Sequence, residues 1–346
     1  MNRAIELAKN AIRSAYPNPA VGCVIVSKNS IIGEGFTSPY GGPHAEVNAI
    51  KSVQDPKLLK NATLYVTLEP CSHFGKTPPC ADLIIAHKIP TVIIGLKDPN
   101  PKVAGSGIAA LKKQGVSVHQ GILEEKCKYH HKKFLCFQIK KRPYVILKWA
   151  ETKDGFIAPH KTKRASTAEP YWISSEASKT RVHLWRSKEQ GILIGVNTLL
   201  EDNPSLDVRR VSGMNPTPIV IDPHLQINKS YNLYHNKDLI LVVDHQLEYK
   251  ASDYPFSIVS IDFSKNSIAQ LLKKLHQLSI MSIFVEGGAF TINSFLTAGL
   301  WDEARVIRSR NNFEDGLTAP VIPFKATTVE QLTTDQISYY LNNGTN

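Results

Sequence analysis

Nowhere in its 346 residues does the chain run about 18 apolar residues without a charge, so no membrane-spanning helix is expected. The opening Met1-Asn2-Arg3-Ala4-Ile5-Glu6-Leu7-Ala8-Lys9 carries charges throughout, in the manner of an amphipathic helix, and lacks the apolar stretch of an export signal. Cysteine is scarce: five residues, an odd number without such a signal, argue for a cytoplasmic, reducing location and against a disulfide framework. Cys23, Cys127 and Cys136 read as free thiols. The lysine-rich stretches 126–141 and 161–164 match no known nucleic-acid motif. The net charge of +11 is therefore read as solvated surface with a few charges left for phosphorylated metabolites, and no nucleic-acid or membrane partner is expected.

Two nucleotide motifs also fail. Gly75-Lys76-Thr77 resembles the end of a P-loop, but Pro70 stands where its first glycine belongs. Gly105-Ser106-Gly107-Ile108-Ala109-Ala110 resembles a dinucleotide fingerprint, yet the preceding strand-like run ends at Leu96, too far upstream for the tight strand-to-helix turn that fingerprint needs. It reads as a loop and a helix start. No internal repeat or low-complexity tract is present.

What remains is an ordinary globular composition, 42% hydrophobic and 21% charged, at a length that suggests two domains. Strand-like runs at 21–27, 31–36, 63–68, 91–96 and 116–119 alternate with helical runs at 2–15, 44–53, 80–87 and 106–114, an α/β pattern. A basic, mostly helical stretch from 123 to 140 leads into Lys140-Lys141-Arg142-Pro143, the expected domain boundary. A second α/β series follows, with strands at 144–149, 191–194, 218–221, 239–243, 257–261 and 282–286. The domains are thus expected at 1–143 and 144–346.

The first half contains His44-Ala45-Glu46, then Pro70-Cys71, then Cys80. A catalytic zinc takes three protein ligands and keeps an open position, and His44, Cys71 and Cys80 fit that set. Glu46, two residues after His44, is too close for a comfortable fourth ligand but suits a carrier that takes a proton from water and delivers it to a leaving amine. This is the ligand order of zinc nucleobase deaminases, except that eight residues separate the cysteines where two are usual. A structural zinc wants a fourth protein ligand, for which His73 is the candidate.

In the second half, the strand Ser282-Ile283-Phe284-Val285-Glu286 meets Gly287-Gly288-Ala289 and then a helix through Leu296. Glycines there let a phosphate approach the unpaired amides of a helix start. Arg186 and Arg209 are candidates to clamp another phosphate through bidentate contacts.

With these residues in hand, the chain resembles the bifunctional riboflavin-biosynthesis deaminase/reductase family along nearly its whole length. Pro17-Asn18-Pro19-Ala20-Val21-Gly22, His44-Ala45-Glu46-Val47, Thr67-Leu68-Glu69-Pro70-Cys71-Ser72-His73, Gly75-Lys76-Thr77-Pro78-Pro79-Cys80 and Asp98-Pro99-Asn100-Pro101 are similar to its deaminase half, long cysteine spacing included. Lys148-Trp149-Ala150, Asp154-Gly155, Trp172-Ile173-Ser174, Asn197-Thr198, Asp202-Asn203-Pro204, Val220-Ile221-Asp222 and Val285-Glu286-Gly287-Gly288 are similar to its reductase half.

The resemblance implies a cytidine-deaminase-like three-layer α/β/α domain followed by a dihydrofolate-reductase-like α/β domain. It implies zinc-dependent deamination of 2,5-diamino-6-ribosylamino-4(3H)-pyrimidinone 5′-phosphate, then reduction by NADPH of the ribosyl group to ribityl. By the same resemblance His44, Cys71 and Cys80 bind Zn2+, Glu46 shuttles the proton, and Asn18, Lys76 and Asn100 contact the deaminase substrate. Ala150, Trp172, Thr198, Asp202 and the helix start Gly288, Ala289, Phe290, Thr291, Ile292, Asn293 and Ser294 fall on the NADPH side. Arg186, Leu206, Arg209 and Glu286 fall on the reductase substrate side. A homo-oligomer is expected. Three departures stand out: Pro170 and Pro223 replace frequent serines, and 305–312 is more polar than the family's usual closing strand. From the residues alone, a zinc deaminase of a nucleoside or RNA base with a C-terminal binding module, and an interaction protein with a structural metal, stay open as alternatives.

Overall fold

In the computed structural model, Lys28 and Asn29 both take positive φ (49° and 62°), closing a tight hairpin between the strands Gly22–Ser27 (β1) and Ser30–Phe36 (β2). All residues are described except 73, 75–77, 100–103, 161, 163–167, 170 and 343–346. The chain divides into two compact units, Met1–Lys141 and Arg142–Asn346.

In the first unit the hairpin edges a five-stranded sheet of order β2-β1-β3-β4-β5, where β3 is Thr63–Val66, β4 is Thr91–Ile94 and β5 is Ser117–Gln120. β1 is antiparallel to both neighbours, whereas β3, β4 and β5 run parallel. Helices Asn2–Ala8 (α1), Ala45–Lys51 (α2), Cys80–Ala86 (α3), Ser106–Lys113 (α4) and Glu124–Leu135 (α5) precede, join or follow these strands. α1 is shorter than the periodic run 2–15 predicts. A three-ten turn, Lys9–Ala11, follows it and Arg13 takes φ 79°, so the helix closes ahead of Pro17 and Pro19, which disfavour helical conformation in the residues before them.

The second unit is built on a nine-stranded sheet whose central strands are buried on both faces and read as continuous apolar runs. Its order is β11-β10-β9-β8-β12-β6-β13-β16-β15. The strands are Tyr144–Glu151 (β6), Gly191–Gly195 (β8), Thr217–Ile221 (β9), Ile240–Asp244 (β10), Ser257–Ile261 (β11), Ser282–Val285 (β12), Glu303–Arg308 (β13), Thr328–Leu332 (β15) and Asp335–Leu341 (β16). Neighbours from β11 to β13 are parallel, and β16 and β15 close the sheet in antiparallel fashion. A short ribbon pairs Phe156–Pro159 (β7) with Gly316–Thr318 (β14). The helices are Glu176–Arg186 (α6), Val196–Asp202 (α7), Ser267–Gln277 (α8) and Ala289–Ala298 (α9).

Of the polar segment 305–312, the part through Arg308 belongs to this sheet as the end of β13. Arg305 is neutralised by Glu303 at 2.7 Å, and its guanidinium carbon sits 4.9 Å from the Trp185 ring centroid, so the charge lies against an aromatic face. Among the described residues no helix is long and apolar enough to cross a membrane.

Candidate functional site

In the first unit β3 ends at Val66, and Thr67-Leu68-Glu69-Pro70 carry the chain to Cys71 at the carboxyl edge of the parallel strands. α2 begins at Ala45 with His44 as its extended N-cap, and α3 begins at Cys80. The Cys71 and Cys80 sulfurs lie 3.5 and 3.3 Å from His44 Nδ1, and all three candidate ligand atoms fall within 4.8 Å of one another. The Cys80 amide also donates to Cys71 Sγ at 3.4 Å.

Electrostatics in this cluster favour one shared thiolate. Hydrogen bonding from Cys80 outweighs burial and holds the Cys71 thiol below its ordinary range, while Cys80, as donor and beside Glu46, is raised above it. His44 is raised through its bond to Cys71. Glu46 is 4% exposed, and burial, reinforced by the Cys71 charge, pushes its carboxyl up to about 7. Two sulfurs and one imidazole with converging lone pairs suit zinc, and three ligands leave room for a water. Of the remaining predicted residues, Asn18 is half-buried, its amide donating to Ala15 O at 2.9 Å; it is not one of the converging ligands. Lys76, Asn100 and the alternative ligand His73 lie outside the described residues.

Sequence reasoning assigns Glu69 no role, yet it is buried beside Pro70-Cys71 and its carboxylate accepts four backbone amides from residues 98–108. Those partners lie 29 to 39 residues away, beyond what spacing can reveal.

The second unit holds a cavity of about 680 Å³ at the carboxyl ends of β6, β8 and β12, where ligands bind in open α/β sheets. Its wall gathers Ala150, Trp172, Thr198, Asp202, Arg186, Leu206, Arg209, Glu286, Gly288 and Ile292. Ala289, Phe290, Thr291, Asn293 and Ser294 are not on that wall. Helical geometry explains the division, because positions 288 and 292 share one face of α9 whereas Phe290, 82% exposed, points away. Glycine is required at 287: a Cβ there would stand 2.7 Å from the Gly195 amide nitrogen and 2.8 Å from Ile194 Cα. The turn from β12 into α9 can therefore pass against the end of β8, and the Gly288 amide donates to Thr198 Oγ1 at 2.9 Å.

Glu286 is the centre of charge in this cavity. Arg186 Nε and Nη2 donate to its two oxygens at 2.6 and 3.0 Å, and Lys148 Nζ donates at 2.9 Å. Burial works to raise this carboxyl, but the two cations overcome it and hold it well below the usual range. Arg186 also donates to Asp207 O at 3.0 Å, and Arg209 pairs with the Asp207 carboxylate. Behind them His183 accepts the Arg209 amide, and burial together with Arg186 and Arg209 pushes it down to about 4, so it is neutral at pH 7. Sequence reasoning assigns Lys148 no role; a lone cation inside the apolar run 144–149 is the signal that marks it.

Residues 1–96 match the family described as the cytidine and deoxycytidylate deaminase zinc-binding region, and residues 143–309 match the RibD C-terminal domain. The riboflavin biosynthesis protein RibD of Aquifex aeolicus is 37% identical over 321 residues, covering 92% of this chain and 88% of its own. The RibD of Escherichia coli is 33% identical, covering 88% and 84%. Among solved structures, Acinetobacter baumannii RibD superposes with a TM-score of 0.87 at 31% identity, covering 98% of this chain and 97% of its own. A Thermotoga maritima diaminohydroxyphosphoribosylaminopyrimidine deaminase/5-amino-6-(5-phosphoribosylamino)uracil reductase superposes at 0.86 with 36% identity, covering 98% and 96%. With the deaminase zinc-binding match over residues 1–96, the RibD C-terminal match over 143–309 and these likenesses along nearly its whole length, the chain belongs to the RibD family of riboflavin-biosynthesis proteins, a deaminase and a reductase in one polypeptide.

Proposed function

We propose that residues 1–143 deaminate 2,5-diamino-6-ribosylamino-4(3H)-pyrimidinone 5′-phosphate, and that residues 144–346 then use NADPH to reduce the ribosyl group to ribityl. The observation that carries this reading is that two chemically different centres occur in one chain. One is the soft His44, Cys71, Cys80 triad beside a buried carboxyl; the other is a cation-lined cavity at the strand ends of a reductase domain.

In the first step one water replaces the amine on pyrimidine C2 and one ammonia leaves. His44 Nδ1 and the two sulfurs would hold zinc, which when bound acts as a Lewis acid that acidifies water. Glu46 takes the proton from the attacking water and returns it to the departing amine. Burial raises its carboxyl in the metal-free chain, and zinc on the triad would oppose that rise and favour the carboxylate that accepts the water proton. Asn18, Lys76 and Asn100 are assigned to the substrate, with Lys76 toward its phosphate.

In the second step NADPH, when bound, supplies the hydride, and the chain's task is to hold two anions in register. Ala150, Trp172, Thr198, Asp202 and the Gly288 end of α9 are assigned to the cofactor; Ala289, Phe290, Thr291, Asn293 and Ser294 act by building that helix start. Leu206, Arg209 and the Arg186–Glu286 pair are assigned to the sugar phosphate. Lys148, fixed by Glu286, joins them as a third cation on that wall.

Removing the metal tests the division of labour. Chelation is expected to abolish ammonia release and leave NADPH oxidation on the already deaminated phosphate unchanged, with both restored by added zinc. Because Cys80 keeps its proton in the metal-free cluster, reloading with zinc is expected to release protons and to weaken as pH falls, measurable by calorimetry in buffers of different ionisation enthalpy. Metal-free protein that still releases ammonia contradicts the assignment.

A further inference from the structure

Glu69 is 4% exposed and sits two residues before Cys71, yet no nearby cation compensates it among the described hydrogen bonds and ion pairs; its partners are backbone amides. Oε2 accepts from Asp98 at 3.2 Å and Gly105 at 3.0 Å, so a single oxygen binds both ends of the 98–105 segment that leaves β4. Oε1 accepts from Gly107 at 3.0 Å and Ile108 at 3.2 Å, which satisfies the first turn of α4. The Glu69 amide in turn donates to Leu96 O at 2.9 Å.

The same seam is closed at two further points. Gly107 presses on the residue before the cysteine, since a Cβ at that position would stand 2.0 Å from Pro70 O. Across the next residue, Ser72 Oγ and Ser106 Oγ are 2.6 Å apart. The peptide that delivers Cys71 and the peptide that carries Asp98 and the start of α4 are thereby one unit, with Glu69 at its centre. A buried carboxylate is costly to keep unless its oxygens are filled, and four amides fill these.

We propose that Glu69 is a positioning residue of the deaminase: it holds Asp98 and Gly105, the two ends of the 98–105 segment, at a fixed distance from the Cys71 end of the ligand triad, and so sets how tightly that centre takes its pyrimidine. The inference rests on the proposed deaminase reading, in which this segment supplies the substrate contact Asn100. It assigns Glu69 no part in proton transfer, which stays with Glu46.

The test is Glu69→Gln in the full chain, where the amide keeps the volume but turns an N–H toward two of the four donors. The KM for the diaminopyrimidine phosphate is expected to rise about tenfold or more, because small misplacements in a site are costly. Zinc content and the pH profile of kcat are expected to stay as in the wild type. NADPH oxidation on the deaminated phosphate, read in the same preparation, is expected to be unchanged and certifies folding. Glu69→Asp, which keeps the charge but withdraws it by one methylene, carries the same expectation if the glutamine variant does not fold. Hydrogen exchange on the wild-type chain gives a second readout, with the amides of Gly105, Gly107 and Ile108 expected to be as protected as those of β3. An unchanged KM, a loss of zinc with kcat falling at constant KM, or rapid exchange at those three amides overturns the proposal. If the wild-type protein releases no ammonia from this substrate, it is the deaminase reading that fails.

Discussion

Glu46→Gln is expected to keep the metal and lose ammonia release by roughly 10²–10⁴-fold, the usual contribution of a general acid–base group. The substitution is nearly isosteric and leaves His44, Cys71 and Cys80 untouched, so zinc stoichiometry is expected to equal that of the wild type. Burial raises the Glu46 carboxyl in the metal-free chain; a dication on the triad opposes that shift and favours the charged form that accepts a proton. An amide in its place can hydrogen-bond but cannot carry the proton between water and amine. NADPH oxidation on the deaminated phosphate is expected to be unaffected, since Glu46 lies in the first unit and the reductase cavity in the second. Ammonia release within a few-fold of wild type would falsify Glu46 as the proton carrier.

Arg186→Met is expected to have the largest effect on the second unit. It removes both guanidinium bonds to Glu286 and leaves that buried carboxylate with Lys148 alone. Breaking a buried pair on one side costs about 3–5 kcal/mol when the remaining charge is left alone. Lys148 still faces Glu286, so the loss is expected to fall below that figure, with reductase activity falling too. Arg186→Lys restores charge but not the fork that spans both oxygens, and is expected to recover only part of either loss. All four tryptophans, at 149, 172, 185 and 301, lie in this unit, so urea denaturation followed by tryptophan fluorescence reports it alone. The sign with pH follows from the direction of the shift. Glu286 is held below its ordinary value of 4.5, so the pair's contribution is fully present above that pH and fades as pH falls through the lower folded value. The deficit of Arg186→Met should therefore be constant near neutrality and shrink in acid. A variant as stable as wild type with undiminished NADPH oxidation would remove the Glu286 clamp from the account.

The metal triad was legible in the sequence because its chemistry is local: His44 and Cys80 each stand at a helix start, Cys71 follows a strand, and thiolate with imidazole has few other uses in this order. The β12–α9 turn was legible for a similar reason, since Gly287 and Gly288 interrupt an apolar strand exactly where a helix begins. What escaped depends on long-range pairing. Glu69 reads as one more acidic residue until the amides of Asp98, Gly105, Gly107 and Ile108 are brought to it, and Lys148 becomes intelligible only when β12 places Glu286 beside it. The family resemblance puts the whole of 288–294 on the cofactor side, whereas of these only Gly288 and Ile292, on one face of α9, line the cavity. The polar strand β13 defeated the apolar pattern because Arg305 is made tolerable by Glu303 and Trp185, partners that hydropathy does not register.

The central claim is that one chain performs two reactions in a fixed order, and a single assay addresses it. Purified protein is given the diaminopyrimidine phosphate first without and then with NADPH, while ammonia and NADPH are followed together. The account predicts ammonia release at full rate without the cofactor, followed on its addition by NADPH oxidation that approaches equality with the ammonia released. NADPH oxidation that precedes ammonia release, or that proceeds with none, would contradict it.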